Sequence, residues 1–238
     1  ASGIGLVAQA AEPIRIGSFL AVTGPATFLG EPERKTLELY VERINEAGGV
    51  LGRPLELVVY DTGSEAKNPV TYTKRLHEQD NVDALIGGTS TGVTMAVVKL
   101  VEDAQKPFIS LAGAQVIVDP VKPWVFKTPH SDAMAVGKIY TDMRKEGIKE
   151  IGLIAGSGGF DKSCVEQATR LAPESGITVK ANEQYGRDDT DPTPQLTKIR
   201  SAGEQAVLFC GFGAPATIVT RNFAQLGIHC GFGLSVTL

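Results

Sequence analysis

From Ile14 onward the chain alternates short apolar runs with amphipathic segments, and a Gly- or Pro-bearing loop separates them almost every time. No other feature constrains the fold as strongly. Ile14-Arg15-Ile16-Gly17-Ser18-Phe19-Leu20 reads as a buried strand, which Thr23-Gly24-Pro25 breaks. A helix is predicted over residues 31–47, where Leu37, Tyr40, Val41 and Ile44 share one face and Gly48-Gly49 supplies a C-cap. Further strands are predicted at 55–60, 83–86 and 107–111, with helices at 68–79 and 94–104. Strands joined through helices pair in parallel, so the pattern predicts an α/β fold with a doubly wound parallel sheet.

The same order restarts after Trp124-Val125-Phe126-Lys127-Thr128-Pro129. Helices are predicted at 131–146, 161–172, 193–201 and 215–226, and strands at 150–155, 177–185 and 206–210. Thr73-Lys74-Arg75-Leu76 before Gly87-Gly88 rhymes with Thr197-Lys198-Ile199-Arg200 before Gly211-Phe212-Gly213. Two similar lobes are therefore expected, 12–129 and 130–238, with a hinge near Thr128-Pro129-His130, where Pro129 biases Thr128 toward an extended backbone. His130 is expected to cap the helix that follows. A last strand begins near Gly231, and the second lobe is expected to be incomplete at Leu238.

Composition narrows the function classes. With 42% hydrophobic and 21% charged residues there is material for packed cores. The net charge is −4 and no Lys/Arg block occurs, so nucleic acid is not an expected partner. No run approaches the ~18 apolar residues of a membrane span, and direct membrane insertion is not expected. Within residues 1–11, the apolar run from Ile4 with its Ala8-x-Ala10 pattern reads as the end of a secretory signal peptide, the alternative being a disordered tail, so export is expected. Cys164, Cys210 and Cys230 are odd in number and lack ligand spacing. They read as small packing residues, with one pairing such as Cys210 with Cys230 left open. Neither a metal nor a cofactor is expected.

In open α/β sheets ligands bind beyond the carboxyl ends of the strands, where helix N-termini offer free N–H groups. The most informative loop there is Gly87-Gly88-Thr89-Ser90-Thr91-Gly92-Val93-Thr94. It has P-loop spacing, but Val93 stands where the phosphate-binding Lys belongs. It also matches the G-x-S-x-G elbow of a serine esterase, with Ser90 as nucleophile. That alternative needs a His from His77, His130 or His229 and an acid such as Asp189 or Asp191. Without catalysis, Ser90 and Thr91 would hold a small carboxylate, cap the helix, or both. Gly156-Ser157-Gly158-Gly159 opens the corresponding helix of the second lobe, but Asp161 replaces the third Gly of a dinucleotide fingerprint.

At these loops the chain resembles type I periplasmic solute-binding proteins of the branched-chain amino acid ABC transporter family. The resemblance runs from Ile14 to about Gly227: Ile14-Arg15-Ile16-Gly17, Thr23-Gly24-Pro25, Ile44-Asn45-Glu46-Ala47-Gly48-Gly49-Val50-Leu51-Gly52-Arg53, Val59-Tyr60-Asp61, Ile86-Gly87-Gly88, Pro107-Phe108-Ile109-Ser110, Val125-Phe126-Lys127-Thr128, Thr190-Asp191 and Gln195-Leu196-Thr197-Lys198-Ile199. The resemblance implies a periplasmic protein whose two lobes close on a small solute and whose loaded form docks on the membrane permease of an ABC importer. A ligand-sensing regulatory domain of the same fold is a further alternative.

Carried over residue by residue, the carboxylate-binding Ser/Thr run falls on Ser90 and Thr91, beside Leu29. The next loop contributes Ala112, Gly113 and Ala114, with Ala114 where the family has a Thr, and the second lobe's Tyr positions are Phe160 and Phe212. The acid that would meet an ammonium is expected near Leu234-Ser235-Val236-Thr237, where no carboxylate stands. A buried ammonium without a counter-charge is disfavoured. The implied ligand is a carboxylate with an apolar body and no free amine.

Overall fold

The computed structural model describes residues 12–186 and 189–228 and the backbone of 231–234. The leader-like run before Glu12, His229, Cys230 and the side chains around Leu234–Thr237 lie outside the described residues. The first sheet comprises β1 (Ile14–Leu20), β2 (Leu55–Asp61), β3 (Ala84–Gly87), β4 (Phe108–Ser110) and β5 (Val125–Lys127). Its helices are α1 (Thr27–Glu46), α2 (Asn68–Glu78) and α3 (Thr91–Ala104). After α4 (Asp132–Lys145) the second sheet follows, with β6 (Glu150–Ala155), β7 (Thr178–Gln184), β8 (Ala206–Cys210) and β9 (Gly231–Leu234), and with α5 (Gly159–Leu171), α6 (Thr193–Ser201) and α7 (Ala214–Gln225).

Every pairing is parallel, in the orders β2-β1-β3-β4-β5 and β7-β6-β8-β9. The second sheet thus repeats the order of the first four strands of the first. In each sheet the winding reverses once, between β1 and β3 and between β6 and β8, and a crevice opens beyond the strand ends at such a reversal. The topology therefore points to the loops after β1, β3, β6 and β8.

Apolar side chains hold these loops in place. Phe19, Leu85 and Phe108 of the first sheet belong to one buried cluster with Val136, Tyr140 and Met143 of α4 and with Ile151, Leu153 and Leu208 of the second sheet. Tyr140 is fully buried and donates its hydroxyl to the Ala168 carbonyl at 2.9 Å. The opposite face of the second sheet packs Ile154, Val207 and Phe209 on Leu196, Ile199, Val219 and Phe223. Among the described residues no helix is long and apolar enough to cross a membrane.

Four expectations need correction. Helix α1 starts at Thr27, one turn before the predicted 31, because Pro32 is tolerated inside the helix instead of marking its first turn. Helix α3 starts at Thr91 rather than 94. The cap of α4 is Ser131, whose Oγ accepts the Met134 N–H at 3.2 Å, while His130 is exposed. Cys164 and Cys210 form a disulfide with Cα atoms 5.8 Å apart, which residues 46 positions apart could not announce before the fold laid α5 over β8.

Candidate functional site

The site begins at the start of α3. Ser90 is extended (φ −121°, ψ 156°), and its Oγ accepts the Val93 N–H at 3.4 Å, a side-chain cap. The first backbone bond of the helix runs from the Thr94 N–H to the Ser90 carbonyl. The N–H groups of Thr91 and Gly92 consequently have no acceptor within the helix. Thr91 is 2% exposed and lines a cleft, yet its Oγ1 has no hydrogen-bond partner. An unpaired buried hydroxyl costs about 1–3 kcal/mol, which an acceptor arriving in the cleft would relieve.

The start of α5 faces this point from the second sheet. A Cβ on Gly159 would lie 3.2 Å from the Gly92 nitrogen, so two helix N-termini, each with partial positive charge, meet there. The start of α7 approaches α1 at Gly213, where a Cβ would lie 3.6 Å from the Phe28 ring. Between these contacts lies a narrow cleft with a cavity volume of about 20 Å³. One wall is Phe160 and Phe212, edge to face at 5.9 Å between ring centroids. Leu29 stands on α1, and Leu111, Ala112 and Gly113 come from the loop after β4.

Glu33 also lines the cleft. Leu29 and Glu33 are one turn apart on α1 and share a face. Gly30 lets that turn rest on the chain just after β1, since a Cβ there would lie 2.2 Å from the Ala21 carbonyl oxygen. Glu33 Oε2 accepts the Thr89 hydroxyl at 2.6 Å, and Thr89 Oγ1 accepts the Ala21 N–H at 3.0 Å. Burial pushes the Glu33 carboxyl up to about 7, against the downward pull of the Thr89 hydrogen bond. No Lys, Arg or His among the described residues lines the cleft.

Asp161 does other work. Its Oδ2 accepts the Gly158 N–H at 2.9 Å, and Gly156 and Gly158 wrap it so closely that a Cβ on either would lie 2.5 or 2.9 Å from that oxygen. Burial holds its carboxyl above the usual range against that hydrogen bond. The position that breaks the dinucleotide fingerprint instead ties down the loop leading to Phe160.

The structure thus gathers Leu29, Ser90, Thr91, Ala112, Gly113, Phe160 and Phe212 around one cleft. Ala114 is not among its walls: it is fully buried at the start of the short 3-10 turn Gln115–Ile117, because the bend after β4 turns it inward. Glu33, Thr89 and Leu111 were missed. The signal for Glu33 was present, four residues beyond Leu29, but a helix start at 31 hides it. For the esterase reading, neither His77 nor His130 lines the cleft, Asp189 accepts the Gly186 N–H, and Asp191 is engaged by Thr193 and Asn222. Ser90 Oγ is used as the helix cap.

Two parallel sheets of one strand order, with their reversal points facing each other across a cleft, define the architecture. Residues 13–237 match the family described as periplasmic binding protein. The chain belongs to that family. Similar curated proteins include the leucine-, isoleucine-, valine-, threonine- and alanine-binding protein of Pseudomonas aeruginosa, 26% identical over 97% of this chain and 62% of its own length. Another is a Leu/Ile/Val-binding protein homolog of Brucella melitensis, 26% identical over 100% of this chain and 66% of its own length.

Among solved structures, a type 1 periplasmic binding protein from Bordetella pertussis superposes with a TM-score of 0.85 at 24% identity, covering 93% of this chain and 62% of its own. An extracellular ligand-binding receptor from Rhodopseudomonas palustris gives 0.82 at 28%, covering 94% and 60%. This periplasmic binding protein chain therefore spans a little under two thirds of the length of these relatives. The chain has the type I periplasmic binding protein fold.

Proposed function

We propose that this chain is the ligand-binding part of the extracytoplasmic component of an ABC importer, taking a small organic carboxylate in the cleft and delivering it in the periplasm to a membrane permease. The observation that carries this reading is the unpartnered Thr91 hydroxyl at the free N-terminus of α3. A carboxylate placed there meets that hydroxyl, the Thr91 and Gly92 N–H groups and the partial charge of the helix start. Leu29, Phe160 and Phe212 then enclose its apolar body. The name of one relative, which gives leucine, isoleucine, valine, threonine and alanine, supports a body of modest size that is mostly apolar. An acid without an amine is the preferred ligand when Glu33, the sole ionisable side chain on the described cleft walls and raised by burial to about 7, holds its proton.

In this reading the lobes are residues 12–129 and 130–238, and they close about Thr128-Pro129-His130, which follow the last strand of the first sheet. Thermal-shift screening of the chain against organic acids and amino acids tests the proposal. Stabilisation by at least one apolar carboxylate, reduced in Ser90→Ala/Thr91→Ala, is expected. No stabilisation across the panel contradicts it.

A further inference from the structure

If a carboxylate docks at the start of α3, a second carboxyl is already in the cleft beside it. Glu33 is bonded to Thr89, the residue immediately before the Ser90 cap. Thr89 Oγ1 receives the Ala21 N–H and donates its own proton to Glu33 Oε2. Oε1 is the oxygen without a hydrogen bond to the described residues, and it is the one offered to a ligand.

Among the described residues no positive side chain lines this arrangement. On α1, Arg34 and Lys35 pair with Glu31 at 2.7 and 3.4 Å, and Arg34 also with Glu38. On the elements packed nearby, Asp61 at the end of β2 is held by the Thr23 hydroxyl at 2.6 Å and the Gly63 N–H at 2.9 Å, and Asp161 on α5 by the Gly158 N–H. None of these groups lines the cleft; its walls add only hydroxyl and apolar side chains to Glu33.

Two carboxyl groups enclosed together without a cation cannot both stay ionised, and one of them takes a proton. The ligand's carboxylate has a helix N-terminus, free N–H groups and the Thr91 hydroxyl to support its charge. Glu33 has one hydroxyl and apolar neighbours. We infer that Glu33 meets the bound acid as a neutral carboxyl, donating from Oε1 to the ligand, and that each anionic ligand is taken up together with one proton from solvent. This rests on the carboxylate reading above and adds what distinguishes an acid from its α-amino analogue. For an acid, Glu33 must hold its proton, whereas an ammonium would require it to lose one.

The two cases give opposite pH dependence. With the free group at about 7, the protonated fraction falls from near nine-tenths at about pH 6 to near one-tenth at about pH 8. Apparent affinity scales with the competent fraction, so an acid should bind about tenfold more weakly at the higher pH. Isothermal titration calorimetry of the chain, in buffers of different ionisation enthalpy, would compare isocaproate and hydrocinnamate with leucine and phenylalanine. Expected are acid binding with uptake approaching one proton at about pH 8, and in Glu33→Gln acid binding that is flat with pH, because the amide donates without titrating. The unaltered chain gives the same readout should the variant fail to fold.

A flat profile for the acids in the unaltered chain overturns the assignment while the cleft reading stands. So does binding of leucine that tightens with pH and releases a proton. Failure of all these probes and of wider acid screening to bind counts against the cleft reading itself and takes this inference with it.

Discussion

Replacing Glu33 by Gln should change stability without any ligand present, in a direction set by the titration of the group. Its carboxyl is raised from 4.5 to about 7 in the folded chain, so between these values the folded state holds a proton that the unfolded state has released. Stability therefore falls as pH rises through this window, the reverse of a salt-bridged carboxylate, and the loss is complete above about 7. The difference of about 2.5 units corresponds to about 3 kcal/mol at most, less whatever solvent screening the half-buried group retains. Gln keeps an oxygen to accept the Thr89 hydroxyl and carries no charge, so it removes the loss and leaves the packing. Urea denaturation of both proteins at about pH 4 and about pH 8 would read this directly. Near-equal stability is expected at the lower pH, with the variant more stable by up to about 3 kcal/mol at the higher. If the two proteins lose stability in parallel as pH rises, the Glu33 carboxyl is not raised as described above.

Other consequences concern the same cleft and its support. Ser90→Ala/Thr91→Ala should weaken acid binding by at least about tenfold, the equivalent of one charge-assisted hydrogen bond of about 1.5–3 kcal/mol, with calorimetry as the check. Phe160→Ala or Phe212→Ala should cost comparable affinity through lost apolar contact while an uncharged amide analogue stays the poorer ligand, which a competition titration would show. Cys164→Ala/Cys210→Ala should lower stability by about 2–4 kcal/mol, since the bridge closes a loop between positions 46 apart. An unchanged melting temperature in that double variant would remove the cross-link from the account.

The strand-loop-helix rhythm was enough to read the parallel sheets, because buried parallel strands leave unbroken apolar runs such as Ala206–Cys210. The position of the cleft was legible for the same reason, through the Gly- and Ser-bearing loops that follow those runs. Its inner lining was less so. The predicted helix start at 31 separated Leu29 from Glu33, although the helix carries both on one face. In the irregular loop after β4 no period relates sequence to direction, and the expected Ala114 is buried while Leu111 lines the cleft. The pairing of Cys164 with Cys210 depends on α5 crossing β8, a long-range contact that no local spacing encodes.

The central claim is that a carboxylate sits at the start of α3. A crystal structure of the chain grown with an acid identified by thermal shift would test it most directly. The account predicts the ligand's carboxylate within about 3 Å of Thr91 Oγ1 and of the free N–H groups of Thr91 and Gly92, with its apolar end between Leu29, Phe160 and Phe212. A ligand bound outside this cleft, or one with its carboxylate turned toward the phenylalanines, would contradict it.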